Sequence, residues 1–208
     1  QDPRERPSDK IEAADERHAQ FADERSDFVA ILNLWRAMSE QAAAGQRTLR
    51  RWCKQNFLSY LRVTEWHDVH GQVMDVVRNE LKLTPNTQAA PYDAIHRALL
   101  AGLLSQVAQR KEQAEYLGAR GTKLNIHPGS GQFKAKPPWI VSAEQVQTTK
   151  VYARNVARID PRWVEEVGEH LVRRQHYEPH WERKAGRAAV YERVTLYGLT
   201  LSAGRSVP

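Results

Sequence analysis

The run WIVSAEQVQTTKVYARNVARIDP (139–161) decides the fold. It holds two stretches, 139–147 and 150–159, rich in Val, Ile, Tyr, Trp and Thr, residues that suit a pleated, half-buried backbone. Along TTKVYAR (148–154) the side chains alternate with period two. Thr148, Lys150, Tyr152 and Arg154 share one face, and Thr149, Val151 and Ala153 share the other. The second set is small and largely apolar and suits a barrel interior, while the first is polar, cationic and aromatic. Asp160-Pro161 reads as a helix start, an N-cap followed by proline at the first helical position. Trp163, Val164, Val167 and Leu171 supply that helix with an apolar face.

Three shorter strand-like runs precede this stretch, at 106–110, 115–120 and 122–127. HPGSGQFKAKPP (127–138) is expected to be an irregular, flexible loop, because Pro137 and Pro138 cannot donate ladder hydrogen bonds. Five short strands predict a small antiparallel barrel of the OB type, although SH3-like barrels and open sheets fit the same pattern. Two further strand-like runs lie near 176–181 and 189–201.

Upstream of residue 105 the periodicity is helical. Ser8 is a candidate N-cap for a first helix. Phe28, Ile31, Leu32, Trp35 and Met38 form the apolar stripe of a second helix over 26–43, with Ser26 before it and Gly45 at its end. Further helices are predicted over 46–62, over 65–82 capped by Thr64, and over 91–105 opened by Pro91, with the linker TPNTQAAP (84–91) before the last. The fold class read from the sequence is therefore α+β, an N-terminal helical bundle followed by a small antiparallel barrel with flanking helices.

The chain has 208 residues, 41% hydrophobic and 27% charged, which fits a folded domain or two rather than a disordered chain. No apolar run approaches the ~20 residues of a membrane span. The opening QDPRERPSDK has no Met and no signal core, so the chain is expected to be a piece of a longer polypeptide. A single cysteine, Cys53, excludes an intrachain disulfide framework and reads as a buried thiol. The net charge of +6 is unevenly spread: residues 110–158 hold 9 Lys/Arg against 3 Asp/Glu. That local excess suits a polyanion, or else an ordinary solvated surface.

The motifs of catalysis are absent. GARGTK (118–123) and GSGQFK (129–134) lack the spacing of a phosphate-binding loop and read as a strand turn and a loop. His67 with His70, and the HYEPH string at 176–180, fall short of metal-site spacing. What remains is a binding surface. FKAKPPW (133–139) sets Lys134 and Lys136 between Phe133 and Trp139, and these two rings also read as core anchors. Lys150, Tyr152 and Arg154 add the outward strand face, and Arg110 and Lys123 belong to the same basic band. Cations and rings on one face suit phosphates and stacked bases. The expected RNA-binding set is thus Arg110, Lys123, Phe133, Lys134, Lys136, Trp139, Lys150, Tyr152 and Arg154.

DPRERPSDK (2–10), SDFVAILNLW (26–35), RRWCKQNFLSYLRVTEWHDVHGQ (50–72), AIHRALLAGLLSQVA (94–108), IHPGSGQFKAKPPWIV (126–141), TTKVYARNVARIDPRWV (148–164) and HYEPHWE (176–182), in this order, resemble the C-terminal part of bacterial HrpA-type DEAH-box ATP-dependent RNA helicases. Several of these strings are also similar to the eukaryotic DEAH helicases of splicing. The resemblance implies a helicase-associated, ratchet-like helical segment over 1–88, an OB-fold over 89–173 and the start of a truncated C-terminal extension over 174–208. It implies single-stranded RNA as partner, gripped by Lys134, Lys136, Lys150 and Arg154 in the matching strings. RecA-like domains of the same polypeptide, absent from this sequence, would bind ATP and Mg; the chain itself is expected to hold no cofactor, metal or catalytic residue. A cytoplasmic protein without a membrane partner is implied. A regulatory protein or ribonucleoprotein is a further partner, and a protein-docking module is the rival reading of the whole chain.

Overall fold

The computed structural model describes residues 2–112 and 114–208. Gln1 and Gln113, inside the expected segment 1–88 and the basic band 110–158, lie outside the described residues. The chain divides into two compact units. One takes the residues up to Asp23 together with Val29–Ala89, and the other takes Glu24–Phe28 together with Ala90–Pro208.

The first unit is helical, with α1 (Ile11–Ala19), most of α2 (Asp27–Ala43), α3 (Gln46–Gln55) and α4 (Tyr60–Asp75), the last extended by a π-helical turn over Val76–Glu80. Phe21, Leu34, Met38, Leu49, Cys53, Leu58 and Val63 form its core; of the stripe predicted for α2, Met38 belongs to it and Trp35 packs against it, while Leu34, outside that stripe, takes a buried place. Burial pushes the Cys53 thiol up to about 11, so it stays protonated and unreactive at neutral pH. His67 and His70 lie with their rings 4.7 and 4.5 Å from that of Trp35.

Three helix boundaries depart from expectation. The predicted helix 46–62 ends at Gln55, because Phe57 takes a left-handed φ of +51° and Ser59 donates its N–H to Pro3 O. An N-terminal segment thereby claims the backbone that would have continued the helix. Thr64, predicted as a cap, lies inside α4 and donates its hydroxyl to Leu61 O at 2.7 Å. Helix α1 begins at Ile11 rather than at Ser8, after a turn closed by Lys10 N–H on Pro7 O.

The second unit runs α5 (Tyr92–Leu103), β1 (Val107–Arg110), β2 (Tyr116–Gly118), β3 (Lys123–Ile126), β4 (Trp139–Gln147), β5 (Val151–Arg158), α6 (Pro161–Val167), β6 (Arg173–Glu182), β7 (Arg187–Leu196) and β8 (Leu199–Val207). The first five strands close a barrel in the order β1-β2-β3-β5-β4, with β4 returning to β1. The predicted all-antiparallel barrel is corrected here: β3 and β5 pair in parallel, Asn125 opposite Tyr152. Parity requires it, since a closed ring with an odd number of strands cannot alternate direction all the way round. Helix α6 starts as predicted, Asp160 Oδ1 accepting the Arg162 N–H at 2.9 Å.

Ala108, Tyr116, Leu124, Ile126, Ile140, Ala153 and Val156 fill the barrel. The Tyr116 hydroxyl donates to Pro137 O at 2.7 Å, which satisfies the one polar atom its ring carries inside. A second core lies outside the barrel wall. There Trp139, Val141, Ala157 and Ile159 meet Leu100 of α5, Leu104 just after it, Val164 of α6, and Val194, Leu196, Leu199 and Leu201 of a three-stranded antiparallel sheet, β6-β7-β8. The run 189–201, read as one strand, is two. Tyr197 and Gly198 have φ of +47° and +88°, forming a two-residue turn that sets Leu196 opposite Leu199.

Candidate nucleic-acid interface

Strand β5 positions the outward face predicted from its alternation. Ala153 is fully buried in the barrel, while Arg154 is exposed and Tyr152 half-buried. Tyr152 stands opposite Asn125 on one side and Val146 on the other, and Arg154 stands opposite Glu144. Asn155 then takes a φ of +49°, which interrupts the alternation and lets Val156 join the interior three residues after Ala153. Lys150 sits in the turn before β5. It shares with Lys123 the lining of a cleft of about 520 Å3, which Glu115 and Asn125 also border. Lys123 forms an exposed ion pair with Glu115 at 3.1 Å.

The loop 127–138 is irregular, as expected, but it is tied at several points rather than free. The carboxylate of Asp27, the first residue of α2, is its anchor. Asp27 Oδ2 accepts the Ser130 hydroxyl at 2.5 Å and the Val156 N–H at 2.8 Å, and Oδ1 accepts the Gly131 N–H at 2.9 Å. One buried carboxylate thus binds the Gly-Ser turn to the barrel wall through three donors shared between its two oxygens. Gln132 is buried and donates to Glu24 O at 3.2 Å. Arg110 donates to Lys136 O at 2.5 Å, so it braces the loop that carries the lysines.

Phe133, Lys134 and Lys136 ride on this anchored loop. Phe133 keeps 39% of its surface exposed, and Lys134 is exposed. Trp139 stands apart from them: it is only 8% exposed and belongs to the core under α5 and α6. Of its two readings, that of core anchor holds, and its ring leaves the stacking set. The structure therefore brings Tyr152 and Arg154 to one barrel face, Lys123 and Lys150 to one cleft, and Phe133, Lys134 and Lys136 to one loop braced by Arg110.

His127, not singled out from the sequence, links the loop to the strand. Its backbone N–H donates to Ala153 O at 3.0 Å, its ring meets that of Tyr152 edge-on at 5.9 Å, and its Nδ1 accepts the Gly129 N–H at 3.0 Å. Burial, and after it the charge of Arg154, holds this imidazole below its ordinary value of 6.5. A histidine with a lowered folded pKa contributes stability that is complete above the unfolded value and declines as pH falls through the folded one. An imidazole titration followed by NMR is expected to place the His127 midpoint below the ordinary value of 6.5, and Arg154→Ala is expected to raise it. A midpoint unmoved by Arg154→Ala would contradict the assigned neighbourhood.

Asp27, Gln132 and His127 were hidden from a linear reading. Asp27 lies about a hundred residues from its partners, and its only sequence signal, a Ser-Asp pair before an apolar stripe, reads as ordinary helix capping. Among the described residues, no three His, Cys, Asp or Glu side chains gather as a metal site, and no helix is long and apolar enough to cross a membrane.

Residues 95–171 match the family model of the oligonucleotide/oligosaccharide-binding (OB)-fold. The whole chain is 48% identical to the ATP-dependent RNA helicase HrpA of Escherichia coli (strain K12) and 45% identical to the HrpA homolog of Haemophilus influenzae, each over 209 aligned positions. It spans 16% of the length of each of these two relatives. A pre-mRNA-splicing factor ATP-dependent RNA helicase, DEAH10 of Arabidopsis thaliana, is 29% identical over 79% of the chain and 24% of its own length. Along its whole length, then, the chain is homologous to the C-terminal part of the HrpA ATP-dependent RNA helicases, with an OB-fold of the kind typical of DEAH helicase C-termini.

Proposed function

We propose that this chain is the accessory segment with which a DEAH-box RNA helicase grips single-stranded RNA, while RecA-like domains elsewhere in the polypeptide bind ATP and Mg and drive unwinding. In this reading residues 1–88 are the ratchet-like helical segment, 89–173 the OB-fold and 174–208 the start of a further C-terminal region. The observation that carries it is the outward row Tyr152 and Arg154 on a barrel whose inner row is apolar, in a unit whose 127–138 loop, braced by Arg110, carries Lys134 and Lys136. Exposed cations attract the phosphate backbone whatever its sequence, and a half-exposed ring offers a base a surface to stack on.

Fluorescence anisotropy of the chain with a labelled single-stranded RNA tests this. If about four phosphates are neutralised, log K is expected to fall against log salt with a slope of about −3. Charge reversal at Lys134, Lys136 and Lys150 together is expected to remove at least nine-tenths of the affinity at low salt. No binding at low salt, or binding that ignores salt, overturns the reading.

The docking alternative has its own support. Leu61, Val69, Val73 and Val76 of α4 and its π extension are exposed, as are Leu81 and Leu83 beyond. Apolar groups exposed along one element mark an interaction surface. Under that reading the three charge reversals leave partner binding intact.

A further inference from the structure

Strand β6 contains the HYEPH string, and its irregularity has a geometric result. Tyr177 pairs with Tyr191 and His180 with Ala189, so three residues of β6 advance against two of β7. This is a one-residue bulge. Glu178 sits in it with a φ of +50°, and Pro179 follows, lacking the N–H that an unbroken ladder would need. Without the bulge, His180 would face away from Tyr177. With it, the His180 ring stacks on Tyr191 at 4.3 Å and 25°, and Tyr177 lies 6.0 Å from Tyr191. The Arg193 guanidinium covers Tyr177 at 5.5 Å, and His180 Nε2 meets Ser206 Oγ of β8 at 3.3 Å.

The two faces of this sheet differ in charge. Glu192, Arg174 and Arg205 are paired with one another and with Glu165 of α6, and the Val194 and Leu196 side chains pack into the core. The other face carries Tyr177, Tyr191 and His180 with Arg193, and Arg173 and Gln175 continue its row in β6. Glu182, at the hairpin end of that face, is paired with Arg187 at 2.9 Å, and the exposed Glu178 lies in the bulge itself. Rings flanked by Arg173 and Arg193, with Glu165 and Glu192 held on the opposite face, complement a polyanion that also presents flat apolar surfaces.

We infer that the Tyr177–His180–Tyr191–Arg193 face of the β6-β7-β8 sheet is a second single-stranded RNA contact, on which unpaired bases stack while Arg193 and Arg173 meet phosphates. It lies outside the barrel, on different residues from the loop and β5 set, and shares with the proposed function the premise that RNA is the ligand. The bulge is the device that makes it, by turning a histidine and a tyrosine three residues apart onto one face.

Base stacking on an aromatic side chain gives a fivefold to hundredfold change in affinity per ring by alanine substitution. Tyr177→Ala/Tyr191→Ala is expected to weaken binding of a 20-nucleotide single-stranded RNA by at least fivefold, and Tyr191→Phe is expected to preserve it. An RNA with abasic sites is expected to bind the wild type more weakly, and the loss is expected to be smaller in the double variant, which keeps only the barrel ring. The Lys134, Lys136 and Lys150 reversals, made separately, report on the barrel reading alone. Crosslinking of the wild-type chain to 4-thiouridine RNA, mapped by mass spectrometry, covers the case in which the double variant does not fold: adducts within 173–193 are expected. Folded variants with unchanged affinity, or adducts confined to 123–154, overturn the inference while leaving the barrel reading in place. Absence of RNA binding by the wild type overturns both.

Discussion

Asp27→Ala is expected to lower the stability of the chain by about 3 kcal/mol and to release the 127–138 loop. The substitution strands three donors at once. The Val156 N–H is buried and has no route to water, so it bears the full desolvation cost of about 1–3 kcal/mol. Ser130 and Gly131 lie nearer the surface, and water can satisfy them in part, so they add less. In a chain of this size about 1 kcal/mol corresponds to ~2–4 °C in Tm, so a fall of roughly 6–12 °C is the result to look for in a thermal melt. Asp27→Asn keeps the shape but replaces one acceptor oxygen with a donor, and it is expected to retain about half of the loss. Amide exchange at Gly131 and Val156 is expected to rise in both variants ahead of the barrel interior. A melt within 2 °C of wild type would show that the carboxylate is not the anchor described here. RNA affinity is expected to fall with Asp27→Ala even though Asp27 is acidic, because the lysines of the loop lose their fixed position.

Glu192→Ala is expected to cost about 2–3 kcal/mol, and to change how stability depends on pH. Glu192 is only 5% exposed and lies between Arg174 and Arg205, which also share Glu165 of α6. Removing it leaves two guanidiniums facing each other with one carboxylate. The cost is set below the 3–5 kcal/mol of a fully buried pair, since the Arg174 and Arg205 side chains keep 36% and 45% of their surface in water. The hydrogen bond from Arg205 is the largest influence on Glu192; burial opposes it, the hydrogen bond from Arg174 adds to it, and the carboxyl is held below its ordinary value of 4.5. Burial alone would raise Glu165, but the hydrogen bonds from Arg205 and Arg174 outweigh it and this carboxyl too titrates low. Carboxyls lowered in the folded state contribute stability that is complete above the unfolded value and is lost as pH falls through the folded ones. Wild-type Tm is therefore expected to decline as pH drops from about 5, and Glu192→Gln to flatten that decline. An acid limb of equal steepness in both proteins would refute the account.

The elements most legible in the sequence were those whose pattern is local. The strands 139–147 and 150–159 are observed at Trp139–Gln147 and Val151–Arg158, and Asp160-Pro161 opens α6. Alternation and capping depend on neighbours within four residues, so a linear reading captures them. The break between α3 and α4 was illegible because its cause lies at Pro3, more than fifty residues upstream. Trp139 shows the same limit in the site. Its position after two prolines and two lysines is as consistent with a binding ring as with a core anchor, and only the packing of α5 and α6 over it decides.

By itself the sequence determined the division into helices followed by short strands, the inward Ala153 and outward Arg154, and the cationic band, because periodicity and charge are properties of residues close in the chain. Tertiary structure alone decided the parallel β3–β5 pair, the anchoring of the Gly-Ser loop by Asp27 and the bulge that gathers Tyr177 and His180 on one face. Closing a ring, satisfying a buried donor and matching strand register are conditions on groups far apart in the chain, and they are met only when the whole unit has folded.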